Sequence, residues 1–421
     1  MTQTTLRRSA NPWRVGVVAG MASYIDAAAI SGFGTAMVIY QGALGLSPEE
    51  VGLSSGVLTL GIAVGALAGG RLGDRFGRRP VFTVTMIAIV LGAVALVLAD
   101  SFPLIVLGAI LLGLATGADL PVSLSTISEA ADDTNRGRML SLSNLLWIAG
   151  AVASGVIGIL AGGLGRPGGQ LMFAHIAIVA LIVMVARLSI PESDVWKRAR
   201  AERRIQNLEG TSGPSMARAL LRGPYLVPFV GLLVFYGFTN LAANTGGQFG
   251  SYLLVNYAGV DVSTAILAAI PTLPLVIIGT LWFMKIADSP RRFTYFKVGA
   301  VLWVVAMLIP VVFGFSLTTY IASAVLGVAG GVFSFEPIMK VWTQEQFPTL
   351  LRTTAQGAII AVARLLASLL AVVTPTIAAI SPSLLYGLLA FLATIGLATA
   401  WVVFRTRDRH SEFADSPSPI P

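Results

Sequence analysis

The stretch "GGRLGDRFGRRPVF" (Gly69–Phe82) decides the fold of this chain, because it places four arginines and one aspartate between two long apolar segments. The composition around it is that of a membrane protein: 55% of the 421 residues are hydrophobic, 11% are charged, and the mean hydropathy is +0.82. A soluble domain carries about a quarter charged residues. The apolar segments are long enough for helices to cross roughly 30 Å of hydrocarbon. We therefore predict an all-α membrane protein, not a barrel of short alternating strands.

Twelve membrane-spanning helices are predicted from the apolar segments. The first segment is too long for a signal peptide, so no cleaved leader is expected. The chain has no cysteine and only two histidines, which excludes disulfides, thiolate chemistry and Cys/His metal sites. We expect no metal and no cofactor. The predicted spans are residues 13–40, 50–71, 80–99, 103–130, 139–161, 171–190, 225–257, 264–287, 293–313, 317–345, 353–380 and 383–404.

The basic residues are distributed unevenly along the chain. Of the 28 lysines and arginines, we place Lys340 and Arg364 inside spans, Arg166 in an outer loop, and the others at the N-terminus, in even-numbered loops and at the C-terminus. This is the positive-inside pattern, so both termini are expected to be cytoplasmic. The net charge of +8 is thus assigned to membrane topology and not to nucleic-acid binding.

A charged loop pattern occurs twice, half a chain apart. An Asp–Arg–Arg group after span 2 returns after span 8, 214 residues later, and a Glu and Arg seven residues apart after span 4 return after span 10, 216 residues later. The chain therefore reads as two parallel six-span units, an architecture of transporters with a substrate site between the units near mid-membrane. The matched residues are Asp74, Arg78, Arg79, Glu129 and Arg136 in the first unit and Asp288, Arg291, Arg292, Glu345 and Arg352 in the second.

The first loop motif, with Gly70, Gly73 and Gly77 around Asp74, resembles the signature between helices 2 and 3 of the major facilitator superfamily. The resemblance covers essentially the whole chain and narrows toward sugar porters, including bacterial inositol-transporter-like members. The narrowing motifs are "PES" (Pro191, Glu192, Ser193), "E…RGR" (Glu129, Arg136, Gly137, Arg138), "E-x-FP…R" (Glu345, Phe347, Pro348, Arg352) and "D-x-x-x-ISG" (Asp26, Ile30, Ser31, Gly32).

We interpret these loop residues as a cytoplasmic gate. Carboxylates and guanidiniums on facing helix ends form charge-assisted hydrogen bonds that hold one conformation. A role in topology alone does not explain their paired spacing. The basic linker between the units is either part of the gate or lies on anionic lipid. The gate residues are Gly70, Gly73, Asp74, Gly77, Arg78, Arg79, Glu129, Arg136, Arg138, Glu192, Asp288, Arg291, Arg292, Glu345 and Arg352.

Five ionisable residues stand within the predicted spans, where such groups are costly and usually functional. Three are acidic and two basic, so binding one proton would bring their summed charge from −1 to zero. We assign proton coupling to Asp26, Asp119 and Arg364, with Asp26 first because the resemblance implies a coupling aspartate there. The resemblance also implies an arginine in span 4, but Ala109 holds that position. Either Arg364 substitutes for it, or coupling differs, or the carrier is uncoupled.

Substrate contacts are predicted in spans 5, 7 and 10. In span 7, Asn240, Asn244 and Gln248 recur every four residues and drift only about 40° per step, so they share one face. Amides offer donors and acceptors to sugar hydroxyls. The resemblance implies that Asn144 replaces a sugar-binding glutamine, with Trp147 nearby to stack on a ring.

Glu336 and Lys340 stand four residues apart on span 10 and can pair. The resemblance implies that Glu336 replaces a glycine and that Lys340 and Arg364 replace tryptophans. The pair either neutralises itself between spans 10 and 11 or forms a surface that binds polyols or anions.

We therefore predict a secondary transporter of a sugar or inositol-like polyol, working by proton symport and alternating access in the cytoplasmic (inner) membrane. The alternative is a proton-coupled organic anion carrier or drug antiporter of the same superfamily. No catalytic residue is expected, and the partners are a small molecule, protons and the lipid bilayer, with no nucleic acid and a monomeric state. The predicted division is 1–192, a linker 193–222, 223–404 and a disordered tail 405–421.

Overall fold

The computed structural model describes residues 11–130, 136–190, 192, 197, 220–221, 223–287, 289–347 and 349–407. Within these ranges the regular structure is helical and contains no strand. Twelve helical segments are long and apolar enough to cross a membrane. The predicted fold class, an all-α chain with twelve spans, is confirmed.

Six long helices form the first half of the chain, and each corresponds to one predicted span. A short 3₁₀ turn, Gly162–Leu164, separates the last two. The helices are α1 (Pro12–Leu44), α2 (Pro48–Phe76), α3 (Arg78–Leu98), α4 (Phe102–Ala130), α5 (Arg136–Ala161) and α6 (Arg166–Arg187).

The second half contains eight helices because two of its spans are each built from two pieces. The eighth span consists of α8 and α9, and the tenth of α11 and α12. The helices are α7 (Leu226–Tyr257), α8 (Val262–Leu267), α9 (Thr272–Ile286), α10 (Arg292–Val312), α11 (Leu317–Ser334), α12 (Glu336–Gln346), α13 (Thr349–Ile380) and α14 (Pro382–Phe404).

Asp261 caps the start of α8. Its carboxylate accepts hydrogen bonds from the backbone N–H of Thr264, at 3.0 Å, and from the Thr264 hydroxyl, at 2.9 Å. These bonds satisfy donors that the first helical turn leaves open. They also lower the pKa of Asp261 below its ordinary value, the side-chain bond more than the backbone bond.

The break between α11 and α12 occurs at Phe335, whose backbone angles (φ −130°, ψ −124°) are not helical. Pro337 stands in the first turn of α12, where its missing N–H costs no helical hydrogen bond, whereas inside a continuous helix it would remove one. The sequence "FEPIMK" therefore ends one helix and begins the next at Glu336, the residue predicted to contact substrate.

Close helix packing depends on small residues in both halves. At Gly69 of α2, an added Cβ would overlap the backbone of Ala118 on α4. At Gly299 of α10, it would lie 2.6 Å from the carbonyl oxygen of Gly330 on α11. In lipid, where hydrophobic burial does not drive association, such backbone approach lets helices gain van der Waals contact.

Contacts divide the chain into two compact units. The first comprises Met1–Ala36 with Leu60–Ser212, and the second comprises Met37–Thr59 with Gly213–Pro421. In the first unit α3 packs against α4 and α6; in the second α10 packs against α11, and α7 against α13 and α14. The boundaries 1–192, 193–222, 223–404 and 405–421 stay a prediction, and most of the linker and tail lie outside the described residues.

Candidate functional site

Asp26 lies on α1 inside the first unit and is 2% exposed. The indole Nε1–H of Trp147 on α5 donates a hydrogen bond to Asp26 Oδ2 at 3.2 Å. The Trp147 side chain itself stays 42% exposed. Asn144, predicted one turn earlier on α5, has a side chain outside the described part of the structure. Two of the residues predicted for coupling and substrate contact, Asp26 and Trp147, are therefore brought together.

Polar contacts fix the segment of α1 that carries Asp26. The hydroxyls of Ser23 and Ser143 share a hydrogen bond of 2.5 Å to α5. The Tyr24 hydroxyl hydrogen-bonds with His175 Nε2 on α6 at 2.7 Å. His175 is thus a partner of Tyr24, two residues from Asp26.

Asp119 on α4 forms a buried ion pair with Arg187 on α6, with 2.5 Å between Oδ1 and Nη1. The Thr85 hydroxyl donates to the same carboxylate at 2.9 Å. Arg187 donates to Ser123 Oγ and to the carbonyl oxygen of Ala19, at 3.0 and 3.2 Å. Because these contacts come from α1, α3, α4 and α6, the pair joins four helices of the first unit.

Arg187 is the functional candidate that the sequence reasoning missed. It was grouped with the basic loop residues, whereas its side chain is 3% exposed and it belongs to the span Arg166–Arg187. The predicted charge count is therefore corrected: adding Arg187 to the five ionisable groups brings their sum from −1 to zero before any proton binds. The available signal was an arginine three residues inside the predicted end of span 6.

An ionic cluster, which we define as Tyr236, Asn240, Glu336, Lys340 and Arg364, lies in the second unit. Lys340 Nζ and Glu336 Oε1 are 2.7 Å apart, and both side chains remain over 40% exposed, at 44% and 42%. The Tyr236 hydroxyl lies beside Asn240 and Glu336, and the charges of Glu336 and Arg364 both act on it. The cluster combines amide, hydroxyl, carboxylate and cationic groups within one unit.

Two members of the cluster are left with unused hydrogen-bonding capacity. Asn240 Oδ1 is buried and makes no hydrogen bond within the described residues. Arg364 is partly buried on α13 and forms no ion pair or hydrogen bond within that same part of the chain. Buried polar atoms are normally paired, so both groups are positioned to accept a partner.

The predicted amide stripe of α7 has a divided role. Gln248 is 2% exposed; it donates to the carbonyl oxygen of Ser55 at 3.2 Å and accepts from the Thr59 hydroxyl at 3.3 Å. Asn244 donates to Gln248 Oε1 at 3.3 Å. Gln248 thus binds α7 to the start of α2, and Asn240 is the stripe member beside the ionic cluster.

The predicted gate residues form equivalent ion pairs in both units. Arg78 Nη2 and Glu129 Oε1 are 2.7 Å apart. Arg292 forms two parallel bonds to Glu345, each 2.6 Å long. The pairs obey the repeat that the loops predicted.

Glu192 has a local role at the start of α3, where its carboxylate accepts from the backbone N–H groups of Arg78 and Arg79, at 2.9 and 3.2 Å. Gly77 precedes this turn with φ 101°, a conformation that favours glycine. Gly73 packs against Val122, and Gly70 has open space around it. The side chains of Asp74, Arg136, Arg138 and Arg352, and all of Asp288, lie outside the described part, and Arg291 is exposed.

Comparison with known proteins identifies the family. The profile described as Major Facilitator Superfamily matches residues 17–372. The chain is 33% identical over 348 residues to the minor myo-inositol transporter IolF of Bacillus subtilis, covering 81% of this chain and 78% of that protein. It is 26% identical over 378 residues to the arabinose-proton symporter of Bacillus subtilis, covering 77% and 78%.

Solved structures share the fold. The crystal structure of a D-xylose-proton symporter superposes with a TM-score of 0.77 at 18% identity, covering 92% of this chain and 97% of the other. The inward open xylose transporter XylE from E. coli gives 0.74 at 18% identity, covering 93% and 96%. These relatives are transporters, not enzymes. The family predicted from the loop motifs is therefore confirmed, and the chain belongs to the major facilitator superfamily as a transporter of the sugar-transporter type.

Proposed function

We propose that this protein carries a sugar or polyol of the inositol type across the cytoplasmic membrane by proton symport. The carrying observation is Asn240: a buried amide oxygen without a hydrogen bond in the described chain, beside Tyr236 and Glu336. A hydroxyl of the substrate supplies the donor that this oxygen lacks, and amide, phenol and carboxylate groups together suit several hydroxyls. The inositol transporter among the relatives supports the same substrate class.

Proton coupling is assigned to Asp26. Its carboxyl group is buried, and the described hydrogen bond to it comes from a neutral indole, which can serve the ionised or the protonated form. Asp119 is a weaker candidate, because a proton there must displace the Arg187 guanidinium from a 2.5 Å contact. Arg364 acts in this proposal on the substrate side. An inward proton gradient then drives accumulation, with the membrane potential adding about 2.3 kcal/mol per charge for 100 mV.

The proposal is tested by uptake of labelled inositol, xylose and arabinose into proteoliposomes under an imposed pH gradient. Wild type is expected to accumulate at least one of them, and D26N to lose accumulation while keeping exchange between labelled and unlabelled substrate. D100N, which removes an exposed carboxylate outside the spans, is the matched control and should accumulate normally. Accumulation that survives in D26N would refute the coupling assignment; no uptake of any polyhydroxylated compound would refute the substrate class.

A further inference from the structure

The ionic cluster has a charge that its own residues do not balance. Glu336 and Lys340 neutralise each other across 2.7 Å, and Arg364 adds a second cation whose charge reaches the same Tyr236 hydroxyl. With these groups ionised, the cluster carries a net charge of +1. A cation within a membrane span is costly unless it is paired or lies in an aqueous cavity. The missing component is therefore one negative charge.

The missing charge is best supplied by the substrate. Within the described residues Arg364 has no carboxylate partner, and its side chain is only partly buried, so a solute can reach it. A guanidinium presents a planar fork of N–H donors that fits a carboxylate bidentately, and such charge-assisted bonds are stronger than neutral ones. Lys340 is already engaged and contributes less.

The groups around Arg364 indicate that the anion also carries hydroxyls. Asn240 and Tyr236 lie on the Glu336 side of the cluster, where the amide oxygen of Asn240 lacks a donor. Tyr236 stacks on Phe335 with ring centroids 5.3 Å apart, and Trp303 meets Phe335 edge-on at 5.0 Å. A simple alkyl or aromatic acid would leave the amide oxygen unsatisfied, whereas a polyhydroxylated acid satisfies it and Arg364 together.

We propose that the physiological substrate is a sugar acid, a polyhydroxylated monocarboxylate such as an aldonate or uronate. A monoanion brings the cluster to zero, whereas a dianionic sugar phosphate would leave −1 and a neutral polyol would leave +1. This inference rests on the proposed function, since it specifies the polyol that the carrier moves.

Tracer exchange in proteoliposomes tests the inference without requiring any gradient. The assay compares matched pairs: gluconate with sorbitol, glucuronate with glucose, and glucose 6-phosphate as the dianion. Wild type is expected to exchange the acid at least tenfold better than its neutral partner and better than the phosphate. In R364M this preference should fall to about one, R364K should keep part of it, and R405M, an exposed arginine beyond α14, should behave as wild type.

The outcomes separate the two proposals. Exchange of neutral polyols with no preference for acids in wild type would overturn the sugar-acid inference and leave the proposed function intact. Exchange of neither class would overturn both. A preference for the phosphate, or an acid preference unchanged in R364M, would also overturn the inference. The wild-type comparison needs no variant, so a poorly folding R364M cannot leave the question open.

Discussion

Arg187 of α6 and Asp119 of α4 meet across 2.5 Å in the interior of the first unit, with side chains 3% and 1% exposed. The guanidinium also lies 4.2 Å from the centroid of the Phe82 ring and donates to the backbone of α1. Charge, ring and backbone contacts therefore depend on one side chain, which makes this pair the main polar link among α1, α3, α4 and α6 in the described part of the unit.

Breaking that pair from one side is expected to destabilise the protein strongly. D119N or R187M leaves an uncompensated buried charge, which typically costs about 3–5 kcal/mol. The double variant D119L/R187M replaces both charges by apolar groups and should lose less stability than either single change. Thermal unfolding in detergent measures this order. Two single variants that unfold like wild type would show that the pair contributes nothing to stability.

The second prediction concerns the bidentate pair of Arg292 and Glu345. The Arg292 side chain is 2% exposed and Glu345 is 23% exposed, so solvent screens the pair only partly. A double-mutant cycle with R292A and E345A should give a coupling of about 1.5–3 kcal/mol, the range for hydrogen bonds to charged groups. The neighbouring Arg291 is exposed, and its cycle with Glu345 should be additive. Equal coupling in the two cycles would contradict the assignment.

The ion pairs show what the sequence could and could not predict. The duplicated loop motif correctly predicted the family, the twelve spans and two equivalent sets of charged residues. Spacing along the chain placed Glu129 with Arg136, seven residues away, whereas the observed partner described for Glu129 is Arg78. Pairing depends on which helix ends lie together in space, and α3 and α4 are neighbours.

Two site residues illustrate the same limit. The four-residue period on α7 correctly placed Asn240, Asn244 and Gln248 on one face, but only packing decides that Gln248 is consumed by Ser55 and Thr59. Arg187 was missed because hydropathy does not locate a span end to within one turn. A charged residue there reads as a loop residue, although its side chain extends back into the helix bundle.

Trp147 provides a test of the Asp26 site that leaves the carboxylate in place. W147F keeps most of the apolar ring but removes the N–H that donates to Asp26 at 3.2 Å. Losing a hydrogen bond to a charged group costs about 1.5–3 kcal/mol, so pH-gradient-driven uptake should fall about tenfold or more. W13F, at a tryptophan that is 46% exposed near the chain start, is the matched control. Equal uptake by W147F and wild type would separate the indole from coupling.

The charge of the ionic cluster leads to a prediction about Glu336 and Lys340. K340M removes a cation and frees Glu336 to pair with Arg364, so the cluster becomes neutral and affinity for a sugar acid should fall at least tenfold. E336Q/K340M removes both partners, keeps the net charge of +1 on Arg364, and should bind the acid within about threefold of wild type. E336Q alone raises the cluster to +2 and should bind at least as tightly as wild type.

Competition by gluconate in the exchange assay gives the affinities in that series. The order expected from charge is E336Q at or above wild type, then the double variant close to wild type, and K340M last. If Lys340 itself held the carboxylate, the double variant would be as weak as K340M, because neither contains the ammonium group. The double variant therefore discriminates between recognition by Arg364, with the Glu336–Lys340 pair as a neutral neighbour, and recognition by Lys340.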